Sequence, residues 1–479
     1  MAATPRGRRR PSRTGLVWLH ACAIGALLAG GGPLAWGNGA FPDSQSILLP
    51  LDRPMQVGLA TNFGLILSED GGKTWVWSCE QPTASYGILY QLGPTPMDRL
   101  YALSEAGLIR SDDQSCTWSV AGGMAAKARL TDLFPDQTNA MRLLVLGIPN
   151  TTTTTLPPAA YESLDSGQTV SPPLYQGAVV DTLTGIESAR TDPNIIYIAS
   201  YDATGPHPKL SKSTDSGMTW TTLDVEPSLG SSTFRIITID VADAAKIYLL
   251  VTETQSQSLA ISTDGGMTFT KPVHFNSSLT AFARLASGTI LVAGQDIDDA
   301  TGNLVGAGYR SSDGGKTFTP WKVPQLRALA ERDGKLYGAA DNFNDGFALG
   351  VSADEGITFQ PILKYSDVSS IQPCVQQVCL DNCHLQALQG LWPDSICGGP
   401  ASDGGVDAAA DAATKATSSG GGGCTVGGQI AALRWVWLGL LAAAVPLSRM
   451  RRRRPPGASA SISSNSAGGR APAKRKGVD

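Results

Sequence analysis

Apolar residues along this chain come in short bursts rather than in long periodic stretches. "FGLIL", "AGLIR", "HPKLSK", "QSLAI", "GAGYR" and "FALGV" are β-rich runs of five or six residues, each followed by a polar, turn-forming segment. Upstream lies a second run of similar length, as in "RLYALS", "IIYIAS", "KIYLLV", "TILVAG" and "KLYGAA". Runs this short, rich in β-branched and aromatic residues and bounded by Gly, Asp and Ser, predict strands rather than helices. The repeating order is strand, strand, strand, polar turn, strand.

The polar turn is itself a repeat. "SEDGGKTW" at 68–75 returns as "SDDQSCTW" at 111–118, "SLDSGQTV" at 163–170, "STDSGMTW" at 213–220, "STDGGMTF" at 262–269, "SSDGGKTF" at 311–318 and "SADEGITF" at 352–359. The template is S-x-D-x-G-x-T-aromatic, broken only by Ser115 in place of Gly and Val170 in place of the ring. Copies start 43, 52, 50, 49, 49 and 41 residues apart, a period that fits one four-stranded propeller blade. The fold class expected is therefore all-β, a seven-bladed β-propeller of four-stranded blades, with six or eight blades if a degenerate unit hides or one turn lies outside the ring. Each template position has a structural task. Asp accepts backbone N–H bonds around the turn, Gly takes positive φ, and the ring packs between neighbouring sheets.

These octapeptides resemble the Asp-box family, the repeat of sialidases, sortilin-type receptors, xyloglucan hydrolases and photosystem assembly factors. The resemblance covers about 45–365. It implies that Asp70, Asp113, Asp165, Asp215, Asp264, Asp313 and Asp354 are structural and sit at the outer rim, far from the central pocket. It is nearly silent on activity.

Charge and cysteines place the chain. Residues 1–37 carry five Arg and no acid, an apolar core "GLVWLHACAIGALLA" and "LAWGNGA" with small residues at the −3 and −1 positions of a cut before Asn38. This reads as a secretory signal peptide, with a twin-arginine signal as the alternative. Residues 38–424 hold 22 basic against 40 acidic groups, a surface that repels phosphate backbones, so no nucleic-acid partner is expected. In an oxidising compartment Cys79, Cys116, Cys374, Cys379, Cys383 and Cys397 predict three disulfides, the alternative being zinc, for which the spacing lacks C-x2-C pairs. Cys79 follows the fourth strand of blade one and Cys116 lies in the second turn, so a Cys79–Cys116 bridge between adjacent blades is expected. Its loop of about 37 residues would give about 3–4 kcal/mol. The remaining four would staple a cap at 373–400 through two bridges of its own, around a short helix near His384–Leu391, with a recognition module as the alternative.

No catalytic, cofactor or metal residue stands out, and no cofactor is expected. A sialidase needs three arginines on the substrate carboxylate and a Tyr/Glu pair, and "TFRIIT" around Arg235 lacks the Pro of the usual arginine motif and follows the fourth repeat. A core strand carrying one outward Arg is the plainer reading. The acidic loops with Asp296, Asp298 and Asp299, and with Asp341 and Asp345, do not match a calcium loop and read as solvated hairpin tips.

From Ala401 to 423 the composition is that of a disordered linker. Then come Cys424, an apolar run from 430 to 447 of a length for a transmembrane helix, and Arg451, Arg452, Arg453 and Arg454, with a disordered basic tail at 455–479. The order Gly-Cys, helix, Arg cluster resembles the MYXO-CTERM sorting signal of myxobacterial surface proteins. That resemblance implies an intramembrane sorting protease as partner, with Cys424 as the processing site; a permanent single-pass anchor is the alternative. The expectation is an exported, surface-displayed propeller (38–372) that binds glycan or protein without catalysis. A glycoside hydrolase is the alternative.

Overall fold

The computed structural model describes residues 42–83, 89–94, 99–104, 106–123, 128–149, 156–205 and 207–398. All of them belong to one compact unit, Met1–Gly404. The expected signal peptide and linker, Cys424, the apolar run 430–447, Arg451–Arg454 and the expected basic tail lie outside the described residues. Among the described residues no helix is long and apolar enough to cross a membrane.

Among the described residues seven blades of four antiparallel strands follow one another along the chain, and the sheet of the first gains a fifth, parallel strand. Blade 1 begins with Ser44–Leu48, blade 2 with Leu89–Leu92, blade 3 with Ala128–Pro135, and blade 4 with Asp181–Ser188. Blades 5, 6 and 7 begin with Thr233–Asp240, Ser278–Arg284 and Leu326–Arg332. In each blade this first strand is an edge of the sheet, and it faces the propeller axis. Seven hydrophobic clusters fill the seams, one between each pair of neighbouring blades. Each blade buries both faces, so its second strand is apolar almost without break, as in Ile196–Asp202 and Ile290–Ile297.

The seven S-x-D turns join third to fourth strand in every blade and share one bonding pattern. In the first, Ser68 Oγ donates to Asp70 Oδ1 at 2.9 Å, and Gly72 N donates to Ser68 Oγ at 2.9 Å. Thr74 N and Oγ1 reach the two Asp70 oxygens at 2.9 and 2.7 Å. Two successive residues take positive φ, Gly71 and Gly72 at 79° and 90°, and in the second copy Gln114 and Ser115 at 58° and 74°. Ser115 survives where glycine is favoured because its ends are held: its N–H bonds Ser111 Oγ at 2.9 Å and its hydroxyl meets Gln372 Oε1 at 3.1 Å.

The ring closes at blade 1. Strand Val368–Ile371 adds in parallel outside Trp75–Ser78, and Arg332 of blade 7 donates to the carbonyls of Pro50, Pro54 and Gln56. The cysteines correct the expected pairing. Cys79 bonds Cys379, Cys116 bonds Cys374, and Cys383 bonds Cys397; there is no Cys79–Cys116 bridge. The cap is thus tied to blades 1 and 2 by two disulfides and keeps one of its own. The reason is closure: Val368–Ile371 occupies the outer edge of blade 1 and delivers Cys374 and Cys379 to Cys116 and Cys79. The cap helix runs Gln376–Leu388, earlier than His384–Leu391, and stops before Gly390 at φ 82°. Trp392 packs on Phe63 and Trp77 at 6.1 and 5.0 Å, joining the cap to the blade 7–blade 1 core.

Candidate functional site

Strands alternate in direction, so the turns that follow the third strand lie at the end where the first strand finishes. The start of each first strand lies at the opposite end, and there the channel opens into a cavity of about 540 Å³. Its wall includes Ser44 and Gln45 of blade 1, Tyr90 of blade 2, Arg235 and Gln257 of blade 5, and Arg327 of blade 7. Six of the seven inner strands carry a register shift near this mouth, skipping Gln45, Thr131, Thr184, Ile237, Thr280 and Arg327. A bulge re-aims one side chain out of the regular alternation. Thr184 and Thr280 use it to donate to the carbonyls of Phe234 and Leu326 in the next blade, and Arg327 uses it to reach the mouth.

Arg327 is the centre of the most elaborate charge cluster at the mouth. Its Nε donates to Asp43 Oδ2 at 2.7 Å and its Nη2 to Asp341 Oδ2 at 3.1 Å, while its buried Nη1 has no partner among the described residues. Asp341 is saturated, taking Phe343 N and Asn344 N on Oδ1 and Asn344 Nδ2 and Arg327 on Oδ2. Asp43 and Asp345 are less fully engaged: Asp43 accepts from Ser44 N and Arg327, and Asp345 from Gln325 N. Burial pushes the Asp43 carboxyl up, against the pull of Arg327 and with help from the Asp341 charge. Burial also raises Asp345, again with Asp341 adding to it. Asp341 and Asp345 are therefore parts of a built cluster rather than a solvated hairpin tip. The other acidic loop does read as a tip, with Asp298 closing it onto Ala300 and Thr301.

Arg235 differs from the sequence reading too. It is exposed, on the inner strand of blade 5, and lines the cavity rather than pointing outward from a core strand. Below it the channel wall holds two acids. Asp132 of blade 3 accepts from Ile186 N of blade 4 at 2.9 Å, and Glu187 of blade 4 accepts from Thr238 Oγ1 and Ile239 N of blade 5 at 2.8 and 3.0 Å. Burial pushes Asp132 up to about 6, with Arg235 opposing, and Glu187 to about 8, with Asp132 adding to it. Both keep some surface toward the channel, yet protein surrounds them, and that surrounding mass sets their ionisation. Sequence alone had no signal for them, since their partners lie 54 and 52 residues away.

At the other end the seven repeat aspartates have their carboxyls occupied by their own turns, and all seven ionise below the usual range. In Asp70 the Thr74 N–H leads, and in Asp264 the turn bonds outweigh a burial effect to leave it at about 2. A rim groove of about 640 Å³ beside the Cys116–Cys374 bridge carries Asp112 and Asp113, but Asp112 pairs with Arg99 and Asp113 with its turn. A cleft of about 50 Å³ between blades 1 and 2 is small and mostly apolar. In the cap, ligand atoms of His384, Asp394 and Cys397 lie within 4.8 Å, but Cys397 is bonded to Cys383 and cannot act as a thiolate ligand.

No protein-family profile and no curated protein matches this chain. Solved propellers do. A GH74 enzyme from Niastella koreensis is 12% identical over 66% of this chain and 65% of its own, at a TM-score of 0.37. The Hadza microbial sialidase is 14% identical over 59% and 70%, at 0.38. The oligogalacturonate lyase of Vibrio parahaemolyticus is 8% identical over 64% and 89%, at 0.43. The chain spans 38% to 65% of the length of the GH74 structures it matches. These similar proteins are named in the main as enzymes, which corrects the expectation that the chain is not one: this architecture gives no ground for setting catalysis aside. Which reaction, if any, a chain performs is decided at its site and not by such remote likeness.

Proposed function

We propose that this chain is a glycoside hydrolase that takes its glycan in the channel-mouth cavity, with Asp43 and Asp345 as the acid–base pair. The observation that carries the reading is the arrangement around Arg327. Two carboxyls are pushed up by burial, each within reach of the charge on a third, Asp341, whose own oxygens are filled. Hydrolysis of a glycosidic bond needs one carboxyl protonated to give its proton to the leaving oxygen, and one ionised to activate water or attack the anomeric carbon. Asp341 raises both carboxyls, whereas Arg327 bonds Asp43 directly and favours its ionised form, which gives Asp345 the role of proton donor and Asp43 that of the base. Arg327 and Asp341 are positioning residues in this account. Gln45 and Gln257 offer amide groups suited to sugar hydroxyls.

The test is a hydrolysis screen of the full chain on soluble polysaccharides and aryl glycosides, repeated with Asp43→Asn and Asp345→Asn. Each variant should lose at least about 100-fold in kcat while keeping a wild-type near-ultraviolet CD spectrum, in line with loss of general acid–base catalysis. Hydrolysis that survives both substitutions would remove this assignment. We also read the seven turns as Asp-boxes, and the chain as exported and surface-displayed through Cys424 and the segment after it. Three disulfides favour an oxidising compartment. A Cys424→Ala variant with unchanged mature mass and location would remove the sorting part.

A further inference from the structure

We propose that Asp132 and Glu187 form a two-proton switch in the channel wall, which changes the charge of the wall and the grip between the inner strands of blades 3, 4 and 5 across the neutral pH range. The inference does not rest on the hydrolase reading and holds whether or not the cavity cleaves a glycan.

Three observations combine. The first is placement: each acid bridges a seam. Asp132 leaves blade 3 to accept the Ile186 amide of blade 4, and Glu187 leaves blade 4 to accept the Ile239 amide and the Thr238 hydroxyl of blade 5. Two consecutive seams therefore hang, near the axis, on carboxyls. At the next two seams the inner strands meet differently: Arg284 of blade 6 pairs with Asp240 of blade 5, and between blades 6 and 7 Glu331 accepts from Ala286 N while Thr280 donates to the Leu326 carbonyl.

The second is the company they keep. The charged groups acting on the pair are each other and Arg235, which comes from blade 5 and acts on Asp132; the other blade 5 groups at Glu187, Thr238 and Ile239, are neutral. One cation faces two acids, and the cation lies nearer in effect to Asp132. The third is that burial holds both carboxyls protonated beyond the ordinary range, with Asp132 releasing its proton near pH 6 and Glu187 near pH 8. The pair thus passes from neutral, to singly negative, to doubly negative. Arg235 is left uncompensated in acid and outnumbered in alkali.

The direction of the stability effect follows. Both groups ionise at higher pH folded than unfolded, so between about pH 4 and pH 8 the folded chain binds more protons. Stability contributed by the protonated pair is present below the unfolded values and is lost as pH rises through about 6 for Asp132 and about 8 for Glu187.

The experiment follows urea unfolding and amide hydrogen exchange of the full chain from pH 5 to pH 9, comparing wild type with Glu187→Gln and Asp132→Asn. In wild type, protection of the Ile239 amide, corrected for intrinsic exchange, should fall by up to about tenfold per pH unit on approaching pH 8, the slope of one proton. Glu187→Gln should flatten that fall while leaving the Ile186 response near pH 6. Asp132→Asn removes the neighbouring charge and should move the Glu187 step to lower pH. Wild type and Glu187→Gln with the same profile from pH 6 to pH 9 would overturn the proposal. If Glu187→Gln does not fold, an unmoved Glu187 step in Asp132→Asn does so equally.

Discussion

The two bridges that tie the cap to the ring should act as a ladder, and the size of the second rung can be worked from the sequence separations. Cys79–Cys379 spans 300 residues and Cys116–Cys374 spans 258. Under the chain-entropy model, either bridge alone restricts the unfolded chain by about 5.5 kcal/mol. Once one is formed, the other closes only about 42 further residues, the difference between the spans, and adds about 4 kcal/mol. Replacing Cys79 and Cys379 by Ser should therefore cost about 4 kcal/mol, and so should replacing Cys116 and Cys374. Replacing all four should cost about 9.5 kcal/mol, a coupling of about 1.5–2 kcal/mol beyond additivity. Urea unfolding of the three variants under non-reducing conditions measures this directly. Additive losses, or a single-bridge loss above the remaining step to the four-fold variant, would refute the nested-loop reasoning.

Other perturbations give separate checks. Gly64 sits at φ 122° and a Cβ there would lie 2.2 Å from the Ser78 carbonyl, so Gly64→Ala should cost about 3 kcal/mol in urea unfolding. The repeat aspartates hold their protons off to well below the usual carboxylate range, with Asp264 and Asp354 at about 2. Their contribution is complete above about pH 4 and is lost as pH falls through about 2, so acid unfolding of Asp264→Asn and Asp354→Asn should be shallower than that of wild type between those limits. Trp77 donates its indole N–H to the Phe63 carbonyl at 3.1 Å inside the closing seam, and Trp77→Phe should lower stability by about 1–3 kcal/mol through the orphaned carbonyl and the vacated volume.

What the sequence made legible was whatever is decided within eight residues. The S-x-D-x-G-x-T turn is closed by its own side chains, so its residue types are demanded locally and seven copies announce seven blades. What it hid was whatever depends on which segments meet around the axis. Arg235 could not be placed in the cavity from "TFRIIT", because its neighbours there, such as Ser44 and Arg327, come from distant blades. The Asp43–Arg327 pair crosses 284 residues. The cysteine pairing failed for the same reason: adjacency of blades 1 and 2 was right to consider, but a C-terminal strand that docks on blade 1 places two other thiols there first. Buried acids such as Glu187 leave no trace in composition, since an inner strand otherwise reads like any alternating strand.

The parallel strand Val368–Ile371 and its flanking bridges also set how this ring would bear tension. A pull on the chain where it leaves the cap at Gly398 meets the Cys383–Cys397 bond first, then Cys379 and Cys374, and passes through sulfur into blades 1 and 2. Blade 7, whose last strand is the nearest upstream element, is bypassed and is not peeled away from its neighbour. Stress reaches Val368–Ile371 only after covalent anchors have taken it up, and its bonds to Trp75–Ser78 run side by side along that strand, so they would shear together rather than unzip singly. Reduction would change the failure mode from rupture of a bond to stepwise unravelling of blades from the C-terminal side, a difference a single-molecule stretching trace would display as a change from one abrupt event to a staircase.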